Sequence, residues 1–177
     1  MIDWRRQVLE FWFGLDPRQW WKADPAFDHR IKEEFLKLWA EKRQLPADAF
    51  LTDPLTALAG VILFDQFPRN MFRGHADQFA TDHLALAIAK SAIDQGFDEE
   101  LEPRERGFLY MPFQHSEKLD DQNRGVLLFT DLGDARQLGY ARKHRDIIER
   151  FGRFPHRNAV LGRASTAAEL EFLRRPT

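Results

Sequence analysis

No cysteine occurs in these 177 residues. That excludes disulfides, thiolate zinc sites and a cysteine nucleophile. Uninterrupted apolar runs are short, and none reaches the roughly 20 residues of a membrane-spanning helix. The opening stretch MIDWRRQVLEFWFG carries Asp3, Arg5, Arg6 and Glu10 and has no small-residue cleavage site, so it does not read as a signal peptide. There is no nucleophile elbow, P-loop, dinucleotide fingerprint or HExxH pair among the six histidines. No segment alternates as a strand does, and no Gly/Ser or low-complexity linker interrupts the chain. The expectation is one all-α domain over residues 1–177, cytoplasmic, with no resident cofactor or metal.

Aromatics are abundant. Sixteen Phe and five Trp point to a core filled by large rings. The composition, 44% hydrophobic and 31% charged, is that of a globular chain. Net charge is only −2, but it is unevenly spread: residues 136–177 hold nine Arg and one Lys against four carboxylates. A basic C-terminal quarter beside an acidic body suggests an anion site or an internal electrostatic match.

Helix signals dominate the chain. Asp24-Pro25 and Asp53-Pro54 each combine an N-cap with Pro at the first helical position. Phe27, Ile31, Phe35 and Trp39 then recur at helical spacing. Thr81 or Asp82 opens a helix that Gly96 closes, Glu102-Pro103 opens one through Met111, and Ser116 caps the next. Thr166 with Glu169 is a capping box before a final helix.

One skeleton recurs. FDQFPRNMFRG begins at Phe64, FLYMP at Phe108 and FGRFPHRNAVLGR at Phe151, so the three Phe anchors stand 44 and 43 residues apart. Two helices per period of about 43 residues is the pattern of stacked antiparallel hairpins. The spacing predicts about three units, near residues 25–67, 68–111 and 112–154, flanked by capping helices. In each, the Pro ends the second helix, because it cannot donate the next hydrogen bond.

The strings LEFWFG, WWKADPAFD, LFDQFPRNMFRG, ERGFLYMPFQHSE and HRDIIERFGRFPHRNAVLGRAST make the chain resemble domain-of-unknown-function family 924. The resemblance runs from residue 9 to 166. It implies a tetratricopeptide-like, right-handed superhelical all-α fold and no particular reaction.

Polar residues follow each Pro: Arg69, Asn70 and Arg73; then Gln114, His115, Ser116 and Glu117; then His156, Arg157, Asn158 and Arg163. In a hairpin array such positions share one edge, with Asp65 and Arg153 near the helix ends. Three readings follow. In the first, Arg69, Asn70, Arg73, His115, Arg153, His156, Arg157, Asn158 and Arg163 line a groove for an acidic small molecule or peptide. In the second, a hydrolase or transferase uses His115 or His156 as general base, with Asp65 or Glu117 to orient it. In the third, clustered aromatics such as Phe11-Trp12-Phe13 and Trp20-Trp21 mark a protein-interaction scaffold, self-association included. Set against all three, Arg and Asn after a helix end can simply satisfy its carbonyls and pair its carboxylates. The basic C-terminal quarter has interleaved Phe, but the slightly acidic whole and the lack of a known module argue against nucleic acid, and nothing points to a membrane.

Overall fold

A computed structural model describes residues 2–175. The chain is all-α: no strand occurs among the described residues, and none of their helices is long and apolar enough to cross a membrane. The residues fall into two compact units, divided between Pro112 and Phe113.

The first unit holds α1 (Trp4–Phe13), α2 (Pro25–Lys42), α3 (Pro54–Val61), a π-helical turn (Ile62–Gln66), α4 (Phe67–Met71), α5 (Asp82–Asp94) and most of α6 (Pro103–His115). The Asp-Pro caps form as expected. Asp24 accepts the Ala26 N–H at 3.0 Å, and Asp53 accepts the Thr56 N–H at 2.9 Å. Arg5 of α1 donates to Asp53 at 3.2 Å and to Thr56 Oγ1 at 2.9 Å, tying the start of α3 to α1.

Every residue from Thr56 to Pro68 is buried. A helix apolar on all sides belongs in the middle of a core, and α3 with its π turn packs against α1 and α5 while α4 packs against α2. Gly60 permits the closest approach. A Cβ there would stand 3.1 Å from Phe50 Cδ1 and 3.3 Å from Ile88 Cδ1. Rings fill the remaining space. Phe35 and Phe67 meet at 4.5 Å between centroids, Phe11 and Phe35 at 5.0 Å, and Phe108 lies against Trp12 and Trp20.

Pro68 and Pro112 do not end their helices. The run through Pro68 continues to Met71 and that through Pro112 to His115; only the third Pro, Pro155, lies beyond its helix. The first case has a visible reason. The π turn lets the Phe67 N–H reach the Ile62 carbonyl, and Pro68 enters at the first turn of α4, where no donor is needed. The Phe64 carbonyl, whose α-helical donor would be the N–H that Pro68 lacks, accepts Thr81 Oγ1 at 2.7 Å. Thr81 Oγ1 in turn accepts the Trp39 indole N–H at 3.1 Å.

The second unit holds the end of α6, α7 (Leu119–Leu132), α8 (Ala135–Phe151) and α9 (Ala167–Arg174). α7 starts later than expected. Ser116 does not cap it directly; its hydroxyl accepts the Lys118 N–H at 3.2 Å and donates to Asp121 at 2.6 Å. Gly125 lets α7 close on the end of α6, since a Cβ there would stand 3.0 Å from Phe113 Cβ. The Thr166–Glu169 capping box opens α9 as the sequence indicates.

Candidate functional site

The post-Pro residues separate into two clusters, one in each unit. In the first unit, Arg69 donates to the Asp65 carbonyl at 2.7 Å and grips both oxygens of Asp82, at 2.7 and 2.9 Å. Asn70 Nδ2 donates to Asp28 of α2 at 2.9 Å, and Arg73 meets the same carboxylate at 2.6 and 3.1 Å. Asp65 lies on the π turn, fully buried, accepts Gln66 Nε2 at 2.7 Å and is 3.7 Å from Arg69.

The second unit repeats the device. Arg157, buried, donates to the His115 carbonyl at 2.9 Å, so a cation closes the C-terminus of α6. Gln122 satisfies the neighbouring Gln114 and Ser116 carbonyls at 2.9 and 2.7 Å. Asn158, 1% exposed, is the hub. Its Nδ2 donates to Glu169 at 2.9 Å and Ser165 at 3.1 Å, while its Oδ1 accepts Arg163 Nε at 3.0 Å. Arg153 binds both oxygens of Glu169, at 3.0 and 2.8 Å. Arg163 binds both oxygens of Glu117, at 2.9 and 3.1 Å, and Glu117 also accepts the Phe154 N–H at 2.6 Å.

Both Arg-Asn pairs therefore play the same part. The Arg satisfies a main-chain carbonyl, on the π turn in the first unit and at the end of α6 in the second; the Asn shares a carboxylate with a second Arg. Arg69, Asn70, Arg153, Arg157, Asn158 and Arg163 all have their donors turned into the fold. Glu117, named above as an orienting carboxylate, is held by Arg163 and Phe154. His156 is exposed on the surface of the second unit, and His115 is partly buried at the end of α6. Among the described residues no group of three metal-ligating side chains comes together.

Of the expected ligand residues, Arg73 lines an open groove. The groove belongs to the first unit, has a volume of about 360 Å³, and is walled by Lys32, Met71, Phe72, Arg73, His75 and Asp77. Lys32 of α2 sits over the Phe72 ring at 5.7 Å. Arg73 uses Nε and Nη2 on Asp28, which leaves Nη1 for the groove. His75 Nδ1 accepts the Asp77 N–H at 3.2 Å, so the neutral ring carries its proton on Nε2. Met71 is buried and Phe72 half-buried, and they form an apolar floor. Lys32, His75 and Asp77 escaped the sequence reading. Lys32 stands one turn beyond Asp28 on α2, but that α2 meets this loop is a tertiary fact without a local signal.

A family model for bacterial proteins of unknown function, domain-of-unknown-function family 924, matches residues 8–177. The chain belongs to this family. A solved structure, described as a protein of unknown function, ATU0120, from Agrobacterium tumefaciens, is 40% identical; the match covers 96% of each chain with a TM-score of 0.89. No curated protein matches. In this family 924 chain, the strings that carry the resemblance include the buried run through Phe64–Pro68, the buried part of α6 and the two Arg-Asn devices.

The second-unit network carries a pH dependence. Hydrogen bonds from Arg153 and then Asn158 hold the Glu169 carboxyl well below the usual carboxylate range. Burial works to raise Glu117, and the Arg163 guanidinium with the Phe154 N–H outweighs it, so that group is lowered too. A lowered folded value means the unfolded chain binds protons first. The stabilisation is complete above the unfolded glutamate value of about 4.3 and is lost as pH falls below it. The urea midpoint is expected to drop steadily between about pH 5 and 3, and Glu169→Gln to flatten that slope. A midpoint indifferent to pH there would remove the electrostatic account of this network.

Proposed function

We propose that this chain is a binding protein for a small molecule that carries a carboxylate and an apolar body, and that it takes this ligand in the first-unit groove. The observation that carries the reading is the pairing of outward donors with an apolar floor. Lys32, Arg73 and His75 line the groove beside Met71 and Phe72, with Arg73 Nη1 and His75 Nε2 left over from the bonds to Asp28 and the Asp77 N–H. Small-molecule sites are concavities of about 300–1,000 Å³ with an apolar lining and a few convergent polar groups. The groove has that size and composition. The Arg-Asn clusters suit this function less well, because the Arg69, Arg153 and Arg163 side chains are only 21%, 29% and 25% exposed against 46% for Arg73, so their remaining N–H groups are less open to a ligand.

The hairpin-array reading of the fold also draws support. Several side-chain bonds join residues about one repeat apart. Asn70 with Asp28, Trp39 with Thr81 and Arg157 with the His115 carbonyl are each separated by 42 positions, and Arg163 with Glu117 by 46. We infer that such bonds fasten neighbouring repeats within each unit.

The test is calorimetric titration with 3-phenylpropionate and 4-methylpentanoate. Binding is expected, and Lys32→Ala should weaken it about tenfold, the worth of one charge-assisted contact. Absence of heat with both acids, or equal affinity in the variant, would dismiss the reading.

A further inference from the structure

We propose that the ligand of this groove is a zwitterion, an apolar α-amino acid, held by its ammonium group as well as its carboxylate. The inference rests on the carboxylate-binding reading above and adds a second recognised charge. The evidence is the balance of charge on the groove walls. Arg73 is neutralised by Asp28, which takes two of its N–H groups at 2.6 and 3.1 Å. His75, with Nδ1 accepting a main-chain N–H, supplies a neutral donor at Nε2. Two full charges then remain on the lining: the Lys32 ammonium and the Asp77 carboxylate. Lys32 makes no ion pair among the described residues and rests over the Phe72 ring. Asp77 is about half exposed, and its contact is with the His75 ring at 3.5 Å.

A ligand bearing only a carboxylate would answer Lys32 and leave Asp77 facing it, a like charge in the same small groove. A dicarboxylate would fare worse. A ligand with one carboxylate and one ammonium leaves neither wall charge opposed, and discrimination of this kind comes from the repulsive group as much as from the attractive one. The carboxylate is directed to Lys32, with Arg73 Nη1 and His75 Nε2 as further donors. The ammonium is directed to Asp77, and the apolar side chain covers Met71 and Phe72.

The experiment is titration calorimetry of the whole chain with L-phenylalanine, L-leucine, 3-phenylpropionate and phenethylamine. The amino acids should bind at least about tenfold more tightly than 3-phenylpropionate, the size of effect that one charge-assisted bond supplies. Asp77→Asn, at an exposed position, should erase that advantage while affinity for 3-phenylpropionate stays level or rises. If 3-phenylpropionate binds as tightly as phenylalanine, or Asp77→Asn leaves the difference intact, the zwitterion inference is overturned and the carboxylate reading stands. If none of the four compounds binds, both fall.

Discussion

Replacing Asn158 with leucine lowers the unfolding free energy by about 2–4 kcal/mol, because three hydrogen bonds made by one buried amide are lost at once. Glu169 loses the Nδ2 donor and Arg163 Nε loses the Oδ1 acceptor, in a site only 1% exposed at Asn158 itself. The leucine side chain has nearly the same size, so a cavity contributes little and the deficit is polar. Asn70→Leu should cost less, about 1 kcal/mol, because its single bond to Asp28 lies at a part-buried site where Arg73 still serves the carboxylate. Urea unfolding followed by circular dichroism measures both. If Asn158→Leu costs under about 0.5 kcal/mol, the amide is not the hub that its geometry makes it.

Thr81→Val costs about 2–4 kcal/mol by the same logic in the core of the first unit. Valine matches the shape of threonine and removes only the hydroxyl. Two buried groups are then stranded: the Trp39 indole N–H and the Phe64 carbonyl, which Pro68 leaves without its helical donor. Thr81→Ser keeps the oxygen and should retain most of the stability. A valine variant as stable as the parent would mean that the Phe64 carbonyl is satisfied elsewhere, and that the proline in this helix needs no hydroxyl to compensate for it.

These two positions show what was legible in the sequence. The Asp-Pro caps, the Thr166–Glu169 box, the phenylalanine core and the all-α class follow from local rules of capping, spacing and burial, and each is visible in a short window. The recurrence of Phe-x-x-Phe-Pro also points correctly to packing: Phe64, Phe67 and Phe154 are all but fully buried. Helix termination at the prolines did not follow. A π turn and a hydroxyl 17 residues away allow the chain to carry Pro68 within a helical run, and no local pattern announces them.

The post-Pro polar residues were found as a set, and their partners were not. Asp28, Asp82 and Glu169 stand far from the Arg and Asn they hold, on helices whose own sequence gives them an ordinary cap or surface reading. Charge counting suggested either an anion site or an internal match in the basic C-terminal quarter. Arg163 pairs with a carboxylate outside that quarter, Glu117; Arg153 binds Glu169 within it, and Arg157 binds a main-chain carbonyl. The proposed ligand binding is assigned instead to a groove in the acidic first unit, where Arg73 is joined by Lys32 and His75.

The division of labour between the Arg-Asn devices and this groove is tested most directly by amide and side-chain NMR during titration with 3-phenylpropionate. Resonances of Lys32 and of Met71 to Asp77 should move and saturate together, while those of Arg153 to Arg163 stay in place. Shifts confined to Arg153–Arg163, with the groove residues still, would contradict it.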